Sequence, residues 1–188
     1  MITISSARLI IRDHIESDLR DLHRLISDKE IMYYLPEILT NTIEDTKENL
    51  GVAISESYNE NRTKYFFAII DKLTDEYIGE IGFTKIKECK EGNIVNLGYF
   101  ILKENWGKGY VVEASKAIID YAFVNLNTVK VETGCLKENY KSEKVMIKLG
   151  LIKEADYKKH TIMNDKFYDR IEYGITKDEW LELKFNTD

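Results

Sequence analysis

The stretch from Ile94 to Val124 constrains this chain more than any other. It begins Ile-Val-Asn-Leu-Gly-Tyr-Phe-Ile-Leu, a short apolar run rich in β-branched and aromatic residues, which predicts a strand over 94–102. It ends Val-Val-Glu-Ala-Ser-Lys-Ala-Ile-Ile-Asp-Tyr-Ala-Phe-Val, where Val112, Ser115, Ile119, Ala122 and Phe123 share one face at a helical period. Between the two, Gly107 and Gly109 flank Lys108. A strand, a glycine turn and a helix start in that order build an anion site. Glycine lets the backbone approach a ligand closely. The first helical turn offers N–H groups that have no acceptor within the helix, and the dipole adds positive potential.

Several readings of this turn compete. A P-loop needs Gly, four residues, then Gly-Lys-Ser/Thr, and that spacing is absent. A dinucleotide fingerprint needs a third glycine where Val112 stands. An ordinary glycine-capped turn needs no ligand. The fourth reading is a resemblance. Glu104 to Gly109 is similar to the pyrophosphate loop of the GCN5-related N-acetyltransferases (GNAT), Gln/Arg-x-x-Gly-x-Gly/Ala. The run Trp106-Gly-Lys-Gly-Tyr-Val-Val-Glu-Ala resembles the RimJ/RimL-like branch, which acetylates ribosomal-protein N-termini. A second signature lies downstream. Asn139-Tyr-Lys-Ser-Glu-Lys-Val-Met-Ile-Lys-Leu-Gly-Leu resembles the family's Asn-x-x-Ser followed by a helix ending in Lys-Leu-Gly-Phe.

Length and composition bound the alternatives. At 188 residues the chain suits one domain, 1–188, with a full core. Hydrophobic residues make up 44%, too many for disorder, and no run is long enough to span a membrane. The start, Met-Ile-Thr-Ile-Ser-Ser-Ala-Arg, has no basic region followed by an apolar stretch, so no secretory signal is expected. The net charge of −6 argues against a nucleic-acid surface and is compatible with cationic partners. Cys89 and Cys135 form no metal or redox motif and read as reduced thiols of a cytoplasmic protein, Cys135 either as a small buried strand residue or as a nucleophile. His14, His23 and His160 lack ligand spacing, so no metal is expected.

In chain order, Arg8-Leu-Ile-Ile-Arg12 predicts a short strand and Glu16 to Ser27 an amphipathic helix. Asp28 to Leu35 predicts a helical piece stopped by Pro36, with Met32, Tyr33, Tyr34 and Leu35 either in the core or lining an acceptor cleft. Thr42-Ile-Glu-Asp opens a capped helix to Tyr58. Tyr65 to Ile70 is a strand, and Tyr77 to Thr84 begins the next, with Gly79 and Gly82 marking a bulge or a close backbone approach. Cys89 to Asn93 is a hairpin turn. Thr128 to Cys135 is a strand, and Ser142 is the expected cap and Gly150 the stop of the following helix. Ile152 to Met163 and Phe167 to Ile175 form a closing hairpin about Asn164-Asp165-Lys166.

The resemblance implies an α/β (α+β) GNAT fold, a strongly bent mixed sheet of about seven strands opened between the fourth and fifth and flanked by about four helices. It implies acetyl-CoA as cosubstrate and no metal. The diphosphate would rest on Trp106, Gly107, Lys108, Gly109 and Tyr110, and the pantetheine would pair with the backbone of Phe100, Ile101 and Leu102 like an added strand. Asn139 would bond the pantetheine amide. Ser142 would serve the leaving thiolate, and the Ile101 N–H the oxyanion, as an amine attacks the thioester directly.

Two positions depart from the family. Many members carry Glu where Asn96 stands, and a Tyr acid where Met146 stands. Asn takes up no proton at neutral pH. Glu80 on the neighbouring strand is then the fallback base, with Glu113 more distant and better explained by the helix dipole. An α-amine with a pKa of about 7.7–8.0 is roughly a tenth or more neutral near pH 7, whereas a lysine-like amine near 10.4 is neutral about once in a few thousand. Weak base assistance therefore suits a peptide or protein N-terminus, or a small amine of lowered pKa. The alternative is a non-catalytic acyl-CoA-binding module of the same fold. A monomer or homodimer, binding neither nucleic acid nor membrane, is expected.

Overall fold

The computed structural model describes residues 1–186. Eight strands form one mixed sheet: β1 (Thr3–Ser5), β2 (Leu9–Asp13), β3 (Lys64–Asp71), β4 (Tyr77–Cys89), β5 (Gly92–Ile101), β6 (Thr128–Leu136), β7 (Ile152–Met163) and β8 (Lys166–Thr176). Their hydrogen-bonded order is β1-β2-β3-β4-β5-β6-β8-β7. Five α-helices accompany them: α1 (Leu19–Ile26), α2 (Ile43–Ser57), α3 (Tyr110–Asn125), α4 (Tyr140–Lys148) and α5 (Lys177–Phe185). The sequence reading expected about seven strands and four helices. The extra strand, Thr3–Ser5, is three residues long and carries no periodicity to read. That strand shifts the count by one: the expected fourth and fifth strands, over 94–102 and 128–135, are β5 and its parallel partner β6.

Contacts gather the chain into two compact units. Residues 1–84 and 98–118 form the first, and 85–97 with the segment from Ile119 onward form the second, the chain passing from one to the other within β4, β5 and α3.

In the first unit, α1 turns Leu22, Leu25 and Ile26 inward against Met32, Leu50, Ala68, Ile70, Tyr77 and Leu102. Phe100 packs on the same cluster. Spacing of three and four residues along α1 brings its apolar side chains to one face, which is why this segment is helical. Its predicted start at Glu16 is instead a 3-10 turn, Glu16–Asp18. A second 3-10 turn, Ile31–Tyr34, ends before Pro36. Met32 is core, whereas Tyr33 is half exposed and meets Tyr34 edge to face at 4.9 Å, so the core reading holds for Met32 and not for Tyr33. Thr42 caps α2, accepting from the Asp45 N–H while Asp45 reaches back to the Thr42 N–H.

Gly79 and Gly82 are close backbone approaches. A Cβ on Gly79 would lie 2.5 Å from the Phe100 carbonyl oxygen and 2.6 Å from Ile101 Cα, and one on Gly82 would lie 2.0 Å from the Tyr65 carbonyl oxygen. The β3–β4 register also shifts beside Gly79, between Ile69 and Ile70.

In the second unit, β5 and β6 pair over Asn93–Asn96 and Thr128–Glu132, and β6 continues to Leu136 against β8. Met146, Leu149, Leu151, Ile171, Ile175 and Trp180 are buried there. The β7–β8 hairpin turns at Asn164 and Asp165, both at positive φ, the conformation a two-residue I′ turn requires. Asn139, not Ser142, caps α4: its side-chain oxygen accepts from the Ser142 N–H at 3.2 Å. Either residue type caps well, and the chain leaves β6 so that Asn139 holds the cap position.

Candidate active site

The glycine turn lies in the first unit. After β5, a 3-10 turn over Lys103–Asn105 leads through Trp106 to Gly107 and Gly109, at φ +76° and +82°. These values lie in the left-handed region that costs an L residue roughly 1–2 kcal/mol, so both positions call for glycine. The turn is exposed, and nothing lies within 4 Å of a Cβ built on Gly107. Helix α3 begins at Tyr110, and the Glu113 N–H bonds the Gly109 carbonyl as its first full turn closes. An exposed, bare backbone ahead of a helix start fits a diphosphate.

Neighbouring side chains hold the turn. Trp106 Nε1 donates to the Ile101 carbonyl at 3.0 Å, tying the turn to the end of β5. Lys108 Nζ donates to Asn105 Oδ1 at 3.3 Å. Arg8, which sequence reasoning missed, donates through Nη1 to the Lys108 carbonyl at 3.2 Å, and its guanidinium lies 4.6 Å over the Tyr110 ring. The Tyr110 hydroxyl donates to Asp71 Oδ2 at 2.9 Å, and that bond raises the phenol's pKa. Glu113 receives the Ser6 hydroxyl and both the backbone N–H and Nε of Arg8. Helix-dipole complementarity, the role the sequence offered for Glu113, is thus joined by a specific clamp. Burial works against its charge, but these bonds prevail and lower its pKa.

Phe100, Ile101 and Leu102 end β5, with Ile101 and Leu102 buried. The Leu102 N–H donates to the Ile78 carbonyl at 3.0 Å, so it is already occupied, while the Phe100 side chain faces the cluster around α1. Glu80 on β4 meets His14 Nε2 at 3.0 Å. His14 is buried, and its Nδ1 lies 3.2 Å from Asp18, which Arg12 grips with two bonds of 2.8 Å. Burial pushes the imidazole's pKa down, yet the bonds to Asp18 and Glu80 overcome it and raise it to about 9. At neutral pH His14 is therefore a buried cation and both ring nitrogens donate. Asp18 is also penalised by burial, but Arg12 and His14 hold its pKa well below the usual range.

The second unit carries the remaining expected residues. Asn96 lies half-buried on β5 opposite Glu132. Asn139 and Ser142 are brought together by the cap of α4. Cys135 donates to the Asn139 carbonyl at 3.7 Å. Cys135 is a small buried residue of β6, and burial pushes its thiol up to about 11 against a smaller lowering from its bond to Ser142. Met146 is fully buried. The Tyr173 hydroxyl donates to Glu143 at 3.0 Å, and burial with that carboxylate raises it to about 12.

Residues 8–152 match the model of the acetyltransferase (GNAT) domain. The chain belongs to the GNAT acetyltransferase family. It is 29% identical over 177 residues to the uncharacterised N-acetyltransferase YnaD of Bacillus subtilis, covering 94% of this chain and 98% of that one. The structure of a GNAT-family acetyltransferase from Bacillus anthracis superposes with a TM-score of 0.81 at 28% identity, covering 95% of this chain and all of the other. Spermidine N-acetyltransferase from Vibrio cholerae, in complex with CoA and spermine, shares the fold with a TM-score of 0.79 at 22% identity, over 93% and 99% of the two chains. As a GNAT enzyme the protein is an N-acetyltransferase. The nucleotide and P-loop readings of the glycine turn fall away.

Proposed function

We propose that the protein moves an acetyl group from acetyl-CoA directly onto a primary amine, at a peptide or protein N-terminus or on a small amine, and that residues 1–188 act as a single catalytic domain. The observation that carries this reading is the exposed Gly107–Gly109 turn, left-handed at both glycines and opening α3. Its main-chain N–H groups hold the diphosphate, Lys108 and Arg8 add positive charge, and Trp106 and Tyr110 fix the turn from either side. Bound acetyl-CoA supplies a thioester with a good leaving group. Phe100 and Ile101 offer main chain to the pantetheine, whereas the Leu102 expected beside them has its N–H bonded to the Ile78 carbonyl and its carbonyl to the Asn105 N–H, and the Ile101 N–H stabilises developing negative charge. Asn139 keeps its amide donors for the pantetheine while its oxygen serves the cap. Ser142 donates to the departing sulfur.

Placement in the RimJ/RimL-like branch is supported by the run from Trp106 to Ala114. A cytoplasmic monomer or homodimer without nucleic-acid or membrane partners accords with the net charge of −6 and the two unpaired cysteines. The test is release of free thiol from acetyl-CoA across a panel of peptides, polyamines and aminoglycosides. CoA binding without turnover on any amine would leave the second reading, a non-catalytic acyl-CoA-binding module. Asn96 in place of a carboxylate and the burial of Met146 favour that reading.

A further inference from the structure

Removing Asn96 and Met146 from acid–base duty leaves the amine's proton without an obvious destination. One carboxylate in the first unit is held differently from the rest. Glu80 sits on β4 with a side chain 14% exposed, and its Oε2 is bonded by a histidine whose side chain is completely buried. That histidine is itself the middle of a chain. Arg12 binds Asp18 with both terminal nitrogens, Asp18 binds His14 Nδ1, and His14 Nε2 binds Glu80 Oε2, at 2.8, 3.2 and 3.0 Å. The Ile15 N–H also donates to Asp18 at 3.0 Å, so the far end of the chain is pinned to the backbone.

A structural ion pair needs no such arrangement. Burying a cation is costly unless its partners are well placed, and a histidine used only to fill space would be neutral. Among the described residues, the ring meets two carboxylates and one aromatic ring. Asp18 comes from the 3-10 turn after β2, and Glu80 and the Tyr77 ring, at 6.4 Å, come from β4. The Tyr77 hydroxyl is buried and makes no hydrogen bond among the described residues, so it does not compete for Glu80. Two carboxylates on opposite ring nitrogens fix the imidazole's orientation, and with it the rotamer of Glu80.

We propose that His14 is a positioning residue for Glu80, holding one carboxylate oxygen so that the group stands ready to take the proton of the incoming amine. The proposal rests on the acetyl-transfer reading above. The amine nitrogen bonds the acetyl carbon and the carbon–sulfur bond breaks; the nitrogen's proton passes to the Glu80 carboxylate and on to water, and the departing thiolate of CoA takes up a proton from water. His14 remains protonated throughout and touches neither substrate. Positioned proton acceptors contribute about 10²–10⁴-fold to rate, and a carboxylate freed to rotate forfeits part of that.

The experiment measures kcat and KM for acetyl-CoA from pH 6 to 10, with the best amine of the panel, in the native protein, Glu80→Gln and His14→Gln. Expected are a loss of roughly 10²-fold or more in kcat for Glu80→Gln and roughly tenfold for His14→Gln, each with KM for acetyl-CoA little changed. The native profile should also fall on its alkaline side as His14 loses its proton near pH 9, and His14→Gln should lack that limb. The ring's titration, followed by NMR in the native protein, should coincide with the limb, and this serves even where His14→Gln does not fold. A fully active Glu80→Gln overturns the proposal while leaving acetyl transfer intact. An inactive Glu80→Gln beside a His14→Gln with the native pH profile, or a limb that does not track the ring, overturns the positioning role alone. No turnover by the native protein overturns the transfer reading and this proposal with it.

Discussion

Glu113 grips Arg8 at two points: its Oε1 accepts the Arg8 backbone N–H and its Oε2 accepts Nε, both at 2.7 Å. The bond brings the segment before β2 onto the first turn of α3, and from there Arg8 reaches the Lys108 carbonyl. Glu113→Ala hands these exposed donors to water and should cost about 0.5–1.5 kcal/mol of stability, read by urea denaturation. Arg8→Ala should raise the Kd for CoA roughly three- to tenfold, read by calorimetry, because the turn loses a brace and a positive charge. CoA affinity unchanged in Arg8→Ala would separate Arg8 from the ligand.

If the turn holds the diphosphate as proposed, Gly109→Val should weaken CoA binding by tenfold or more, since a β-branched residue is strained at φ +82° and its side chain would stand where the phosphates are proposed to lie. Gly107→Ala isolates the strain, because its Cβ meets nothing within 4 Å. It should cost about 1–2 kcal/mol or shift the turn. Native CoA affinity in both variants, measured by calorimetry, would count against the turn as the diphosphate site.

The His14 ion pairs make stability depend on pH in two windows. His14 titrates higher folded than unfolded, so its contribution is complete below about pH 6.5 and is lost as pH rises toward 9. Asp18 titrates lower folded than unfolded, so its contribution is present above about pH 4 and is lost on acidification below that. Urea unfolding should show stability falling by a few kcal/mol between about pH 6.5 and 9. His14→Gln should abolish that slope while keeping the acid one.

Asn139 caps α4, and one substitution separates that duty from the pantetheine contact proposed for it. Asn139→Asp keeps an oxygen for the Ser142 N–H and should leave the melting temperature within a few degrees of native. It removes the amide donors, so KM for acetyl-CoA should rise several-fold. Asn139→Ala should lose about 1 kcal/mol in addition. An Asp variant with native KM would confine Asn139 to capping.

The two thiols should differ in reactivity. Cys89 is exposed, whereas Cys135 is buried and its thiol is pushed up to about 11. A disulfide reagent at pH 8 should titrate one thiol quickly in the folded protein and the second only on denaturation, because the thiolate is the reactive form. Two fast thiols would mean that Cys135 is open to solvent.

Much of the fold was legible where the signal is local. The capping box at Thr42, the stop at Gly150 and the paired turn residues Asn164 and Asp165 each act within a few positions of themselves. Gly79 and Gly82 were legible as marking a bulge or a close approach, though not which of the two, nor which strands approach. Thr3–Ser5 was not legible as a strand, because three residues paired to β2 carry no pattern of their own. The cap of α4 passed from Ser142 to Asn139 because both residue types suit the position and only the path of the chain chooses. In the candidate site, Gly107 and Gly109 announced themselves by type and spacing. Arg8 did not, since it lies 100 residues from the carbonyl it holds.

The residues in order were enough to determine the strand, glycine turn and helix from Ile94 to Val124, and with them the family, because backbone preferences and apolar periods act between near neighbours. Only the tertiary structure decided that His14 is a charged partner of Glu80 rather than a neutral core residue, since the two lie 66 positions apart in the chain. An imidazole's charge depends on which carboxylates reach it once water is excluded. That is a property of the folded surroundings, with no counterpart in the run of amino acids around it.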